Sequence, residues 1–101
     1  MSNRLDLHET LCRVLGSKNV YFQPPESVKL QYPAIVYSLS RIRNNHASNK
    51  VYRQIDSYTV TVIDRNPDSK VVRDVSLLPQ CSFDRGFVSD NLYHNVFTIT
   101  Y

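Results

Sequence analysis

The first regular pattern of apolar positions covers residues 3–15. Its apolar residues recur at the spacing of one helix face: Leu7, Leu11, Val14 and Leu15. Asp6 lies early in this segment and Arg13 lies late, which is the order that the helix dipole favours. Gly16 follows, and glycine readily adopts the left-handed conformation that ends a helix. The pattern therefore predicts a helix over 3–15.

The composition then changes to residues typical of strands. Val20–Phe22 predicts a short strand, and two adjacent prolines make Gln23–Gln31 a connector, because proline neither continues a helix nor donates to a ladder. Ala34–Leu39 predicts a second strand, whose alternation Ile42 extends. The polar run Asn44–Asn49 predicts an exposed hairpin loop, which we expect to be poorly ordered in an isolated subunit.

The clearest strand pattern is Tyr58–Ile63, where β-branched and aromatic residues alternate between two faces. A second helix is predicted over 67–78, with Asn66 as its N-cap and Pro67 in its first turn. Its buried stripe is formed by Val71, Val72, Val75 and Leu78.

Two further strands are predicted at the end of the sequence. They are Cys81–Val88 and Tyr93–Tyr101, joined by a turn at Asp90-Asn91, where the residue types suit a hairpin. The predicted order is α-β-β-β-α-β-β. It indicates a single α+β domain over residues 1–101, with a mainly antiparallel sheet and two helices packed on one face. The other face combines Ile63 and Val96 with threonine and serine, so a monomer would leave part of it wet.

The residues that usually carry chemistry are few and scattered. His8, His46 and His94 are isolated, and we interpret His8 as a solvated helix residue and His94 as a hydrogen-bonded structural residue. Cys12 and Cys81 fit no metal spacing and no disulfide framework, so we expect free, half-buried thiols in a reducing cytoplasm. Two glycines are too few for a phosphate-binding loop. The sequence predicts no enzyme activity, no cofactor and no metal site.

The distribution of charge does indicate a candidate functional site, because the excess of positive residues lies in one stretch of the sequence. The sequence carries 12 basic and 9 acidic residues. Four of the basic residues, with no acidic one among them, fall between residues 41 and 53: Arg41, Arg43, Lys50 and Arg53. With His46 they are the candidate functional residues. They suit contact with phosphate that does not read sequence. The alternative is a solvated hairpin whose charges protect a sheet edge from aggregation.

Several stretches, taken together, resemble small proteins encoded in the tail modules of phages and prophages of Gram-positive bacteria. They span most of the sequence: Leu15–Pro25, Tyr32–Tyr37, Tyr58–Asp68, Leu78–Arg85 and Asp90–Tyr101. The family is similar to the tail-terminator, or tail-completion, group of tailed phages.

The resemblance implies an α+β subunit without enzyme activity that assembles as a ring, expected to be a hexamer, on the end of the tail tube. The ring would stop tube polymerisation and join the tube to the head connector, with DNA passing through its centre. The expected partners are other copies of the chain, the tail tube protein and the head-connector or neck proteins. We expect the protein to assemble in the bacterial cytoplasm and to end in the virion, and we expect no contact with a membrane.

Two alternatives remain open at this point. A neck or head-closure adaptor of the same particle would show the same resemblance. A free DNA-binding regulator belongs to a different class and is disfavoured, because no recognition helix carries the positive charge. Within the ring, we expect the loop with Arg41, Arg43, His46, Lys50 and Arg53 to lie at the lumen or at a contact between subunits.

Overall fold

The helices and strands follow the predicted order. The computed structural model describes residues 4–47 and 50–100, with the backbone alone at 45–47 and 50–53. The elements are α1 Arg4–Leu15, β1 Val20–Phe22, β2 Ala34–Ala47, β3 Lys50–Asp64, α2 Lys70–Ser76, β4 Cys81–Ser89 and β5 Leu92–Thr100. The class is α+β, as predicted.

The five strands form one sheet with the order β1-β2-β3-β5-β4. β1 runs parallel to β2, and the other three neighbouring pairs are antiparallel. The sheet is therefore mostly antiparallel, and the parallel pair requires the connector of residues 23–33 to return along the sheet.

One face of the sheet, here called the helix face, carries the core. Its residues come from β2, β3 and β5 in register, as in the pairs Ile35↔Val62 and Val60↔Phe97. Both helices bury their apolar stripes against it, and Leu11 and Val75 are fully buried. Gly16 ends α1 at a φ of +79°, and its N–H donates to the carbonyl of Cys12 at 2.9 Å. These features confirm the first predicted stripe and its stop signal.

The centre of the opposite face is more deeply buried than predicted. Ala34, Ile63 and Val96 are buried there, while Val36 and Thr61 are half-buried. A groove of about 380 Å³ separates this part of the sheet from the connector. The prolines that exclude the connector from the sheet thus place it alongside this face.

The second helix is shorter than the predicted 67–78. It begins at Lys70, and Ser69 is its N-cap, with no hydrogen bond from the serine side chain. Asn66 instead accepts a hydrogen bond through its side-chain oxygen from the backbone N–H of Asp68 at 2.9 Å. That bond closes a turn ahead of the helix, so Asn66 and Pro67 lie outside it and are not its cap and first turn.

The hairpin between β2 and β3 corrects the predicted loop. Strand pairing continues through Asn44↔Gln54 to Ala47↔Lys50, so Asn44–Ala47 is strand and not loop. Ser48 and Asn49 lie outside the described residues. Polar residues can form strand here because pairing between β2 and β3 satisfies the hydrogen bonds of the backbone, and these side chains do not have to cover a core.

A bulge at Ser40 also corrects the predicted role of Ile42. Leu39 pairs with Tyr58 and Arg41 pairs with Ser57, so Ser40 is an extra residue in β2. The hydroxyl of Ser40 donates to the carbonyl of Ser57 at 2.9 Å. By register, Ile42 therefore shares the helix face with Leu39 and does not continue the alternation of the opposite face.

The second hairpin is confirmed. Asp90 and Asn91 join β4 to β5, with φ values of 53° and 62°. Positive φ at both central residues is typical of the type I′ turn, which asparagine and aspartate tolerate.

Replacing Leu11 by alanine should lower the free energy of unfolding by about 2–5 kcal/mol, because a fully buried leucine leaves a cavity between α1 and the sheet. Urea denaturation measures this. Leu77→Ala is the matched control, since Leu77 is 81% exposed and should change stability little. Equal losses in both variants would show that the α1 stripe does not hold the helix to the sheet.

Candidate functional site

The β2–β3 hairpin extends beyond the rest of the sheet. β3 pairs with β5 only from Ser57 to Asp64. As far as the described residues show, Arg41–Ala47 and Lys50–Asp56 pair with each other and with no other strand. We call these two stretches the hairpin arm. The molecule measures 51 Å along its longest axis against 29 and 23 Å along the others, which is consistent with a projecting arm.

The arm contains all five predicted site residues. Arg41 pairs with Ser57 and Arg43 with Ile55, so both arginines lie on the sheet face opposite the helices. The other three are placed by backbone register alone, in the pairs Asn45↔Arg53, His46↔Val51 and Ala47↔Lys50. The structure thus brings the predicted residues into one element. The positions of the side chains of His46, Lys50 and Arg53 lie outside the described part.

The two faces of the arm differ in chemistry. Arg41 and Arg43 are exposed, and no ion pair holds either of them within the described side chains, where the one ion pair is Arg85 with Asp84 at 3.1 Å. On the helix face, Leu39 is 38% exposed at the base of the arm and Ile42 is 53% exposed within it. By register, Arg41 and Arg43 share their face with half-buried Ile55, whereas Ile42 shares the helix face with the polar residues Asn44, Gln54 and Asp56.

The arm lacks the support that the body of the sheet receives. A two-stranded hairpin is marginally stable in water unless a third strand or a helix covers it. No helix residue is among the partners described for the arm. Its open edges and the exposed side chain of Ile42 are therefore suited to a binding partner.

A second group of polar residues surrounds Tyr37, which is 1% exposed. Its hydroxyl oxygen lies 3.2 Å from a guanidinium nitrogen of Arg4, which donates to it, and 2.7 Å from Nδ1 of His8. The Arg4 guanidinium also lies 4.3 Å from the centre of the Phe22 ring. This arrangement joins α1 to β1 and β2.

The Tyr37 group corrects the interpretation of His8 as a solvated residue. His8 is half-buried and bonded to a residue 29 positions away. The signal in the sequence was its position between Leu7 and Leu11 and four residues after Arg4, which places both side chains beside the buried stripe. Burial raises the pKa of Tyr37, and Arg4 opposes part of that rise. The neutral phenol of Tyr37 bonds to two residues of α1, and its role is best explained as structural.

The other candidate residues have structural surroundings. Nδ1 of His94 lies 3.1 Å from the carbonyl oxygen of Leu92, and its ring stacks on Phe87 with centroids 4.7 Å apart. Cys12 and Cys81 are free and half-buried, as predicted, and burial raises the pKa of the Cys81 thiol. Across residues 4–47 and 50–100, no group of three His, Cys, Asp or Glu residues is arranged to hold a metal ion.

Neither helix of the described chain is long and apolar enough to cross a membrane. No protein-family model matches the sequence, and comparison with curated proteins finds no significant match.

Stability should fall at high pH because of Tyr37 and Tyr58. Burial is the largest cause that raises the pKa of both phenols above the ordinary 10.0. A raised folded-state pKa means that the stabilisation is complete below about pH 10 and is lost as the pH rises through the folded value. Urea denaturation between about pH 8 and 12, with tyrosinate absorbance as a second signal, measures this loss.

Tyr37→Phe separates the contribution of one phenol. This variant should lose about 1 kcal/mol at neutral pH, because Arg4 and His8 lose their shared partner. Its stability should then decline less steeply than that of the unmodified protein above pH 10. Identical slopes would show that Tyr37 does not contribute to the alkaline transition.

Proposed function

We propose that this chain is a non-enzymatic structural subunit of a tailed-phage particle, of the tail-terminator kind. Copies of it would form a ring, expected to be a hexamer, that caps the tail tube and joins it to the head connector. DNA would pass through the centre, and the protein's final location would be the virion. The resemblance of the sequence to phage tail-module proteins suggests the family, and the hairpin arm is the observation that carries the proposal.

The arm supports a role in assembly because its surfaces remain available. It projects from a folded body, exposes Ile42 and keeps Arg41 and Arg43 out of ion pairs within the described side chains. An enzyme would more typically concentrate its polar residues in a cleft of the body. An exposed arm with open strand edges and exposed cations is better suited to contact a neighbouring subunit or a polymer.

The charge of the arm is compatible with DNA that must move past it. Four cations lie along the hairpin arm, from Arg41 at its base to Lys50 near its tip. Exposed cations attract phosphate without reading sequence, and physiological salt screens them beyond about 8 Å. A few such residues per subunit would avoid repelling DNA while not holding it tightly.

A ring also requires two different surfaces that fit each other head to tail. The sheet supplies two candidates, since β4 is its outermost strand on one side and the arm extends from the other half of the sheet. This supports a ring over an isolated monomer.

Inactivating the gene for this chain in a phage that encodes it tests the proposal. Loss of a tail terminator should give tail tubes of abnormal and variable length that do not join heads, because nothing stops polymerisation. Electron microscopy of the lysate measures tube length. Tubes of normal length beside heads that have lost their DNA would instead identify a neck or head-closure adaptor. Normal infectious particles would contradict any role in the virion.

Replacing Arg41, Arg43, Lys50 and Arg53 together by serine tests the placement of the arm. Arg41 and Arg43 are exposed, and a surface substitution usually changes stability by about 0.5 kcal/mol or less, so the subunit should still fold. If the arm lies at the lumen or at a subunit contact, the yield of infectious particles should fall sharply. A map of the assembled particle checks the location directly. An outward-pointing arm together with normal infectivity would contradict that placement but not the proposed terminator.

A further inference from the structure

β4 is an open edge of the sheet. It pairs with β5 on one side, and no strand lies on its other side in the described part of the chain. Every residue from Ser82 to Ser89 is exposed. Phe83, Phe87 and Val88 are 57%, 44% and 61% exposed, which is unusual for three large apolar residues on one strand.

The features that usually protect an edge strand are few in β4. Proteins block edges with lysine, proline, inward-pointing charges or very short strands. β4 is nine residues long and contains neither lysine nor proline. Its two charged residues, Asp84 and Arg85, pair with each other at a bulge. The bulge and these two charges are its protective features, and the ladder is regular on both sides of the bulge.

The arm supplies a second open edge. β1 covers β2 only from Ile35 to Tyr37, and the side-chain oxygen of Gln23 accepts a hydrogen bond from the N–H of Leu39 at 3.1 Å. Beyond Leu39, the outer edge of β2 has no strand partner within the described residues. Each copy therefore carries the open β4 edge in the body and two open edges in the arm, because in the described part of the chain β5 does not cover β3 from Lys50 to Asp56.

We propose that the arm of one copy adds as an extra strand to the β4 edge of the next copy. The proposal rests on the proposed function and identifies the partner of the arm. Pairing would satisfy the unpaired backbone groups of both edges. It would also bring Leu39 and Ile42 of one copy towards the exposed apolar residues of β4 in the other.

Charge favours this pairing over the two symmetrical ones. An arm-to-arm contact would set two surplus-positive elements against each other, and like charges opposite each other destabilise a sheet. Outside the arm the chain holds eight basic and eight acidic residues, so an arm that meets the body of the next copy avoids this repulsion. A β4-to-β4 contact would close a dimer and leave both arms without the third strand that they need.

Chemical cross-linking distinguishes these arrangements in the full-length chain. Cys12 and Cys81 are first replaced by alanine, and a thermal melt confirms that the background folds. Asn44→Cys then labels the arm and Ser82→Cys labels β4, both at exposed positions. With a short bis-maleimide at high protein concentration, the double variant should give a ladder of dimers, trimers and larger species, whereas each single variant should stay monomeric.

A substitution at the edge provides an independent measurement. Val88→Lys adds to β4 the charge that commonly blocks edge pairing, and it should weaken self-association by about tenfold or more, equivalent to about 1.4 kcal/mol. Leu77→Lys is the matched control, because Leu77 is the more exposed residue and lies outside both edges. Analytical ultracentrifugation measures both variants, and equal weakening by both would overturn the proposal.

The outcomes separate this inference from the proposed function. Cross-linked dimers from either single variant, or no cross-linking of the double variant, overturn arm-to-β4 pairing. Rings seen by electron microscopy without these cross-links would overturn the pairing while supporting the ring. A ladder with normal tail tubes in the gene-inactivated phage would support the pairing and contradict the terminator function.

Discussion

The burial of two helices against one face of three strands is the interaction on which the rest of the structure depends. Leu7 and Leu11 from α1 and Val75 from α2 meet Val60 and Phe97 at the centre of the sheet, and all are 1% exposed or less. A domain of 101 residues buries only about two thirds of its unfolded surface, so this single core must stabilise every other element. Parts of the strands that do not contact this core receive little of that stabilisation.

This limit explains the contrast between body and arm. Within the body, polar groups also hold α1 to the sheet, because Arg4 and His8 both bond to the Tyr37 hydroxyl. In the arm the same two strands continue with Arg41, Arg43 and an exposed Ile42. One hairpin therefore supplies core strands at one end and an exposed arm at the other, and the described core contains no residue of the arm.

Local patterns in the sequence predicted the body well because each was reinforced by packing. The α1 stripe, the alternation around Val60 and the Asp90-Asn91 turn all have short-range causes that the tertiary structure preserves. The failures came from contacts that local patterns do not contain. Asn66 bonds to a backbone N–H and delays α2, and ladder pairing makes strand of the polar residues from Asn44 to Ala47.

The sequence predicted which residues form the candidate site, but it did not predict that they lie on a projecting arm. Charge alone located the basic stretch, because the excess of Arg and Lys is concentrated there. That it lies on an arm depends on where β5 stops pairing with β3, which is a long-range property of the sheet. The open edge of β4 could not be predicted either, because it depends on the order of the strands in the sheet.

The bulge at Ser40 has a geometric consequence for any assembly of this chain. A bulge increases the local twist of a strand pair, so the direction in which the arm leaves the body is set at one residue and one hydroxyl-to-carbonyl bond. In a closed ring, the angle between neighbours fixes how many copies complete the circle. If copies of the chain form the proposed ring, Ser40 lies where a small change in strand twist would alter the diameter of that ring.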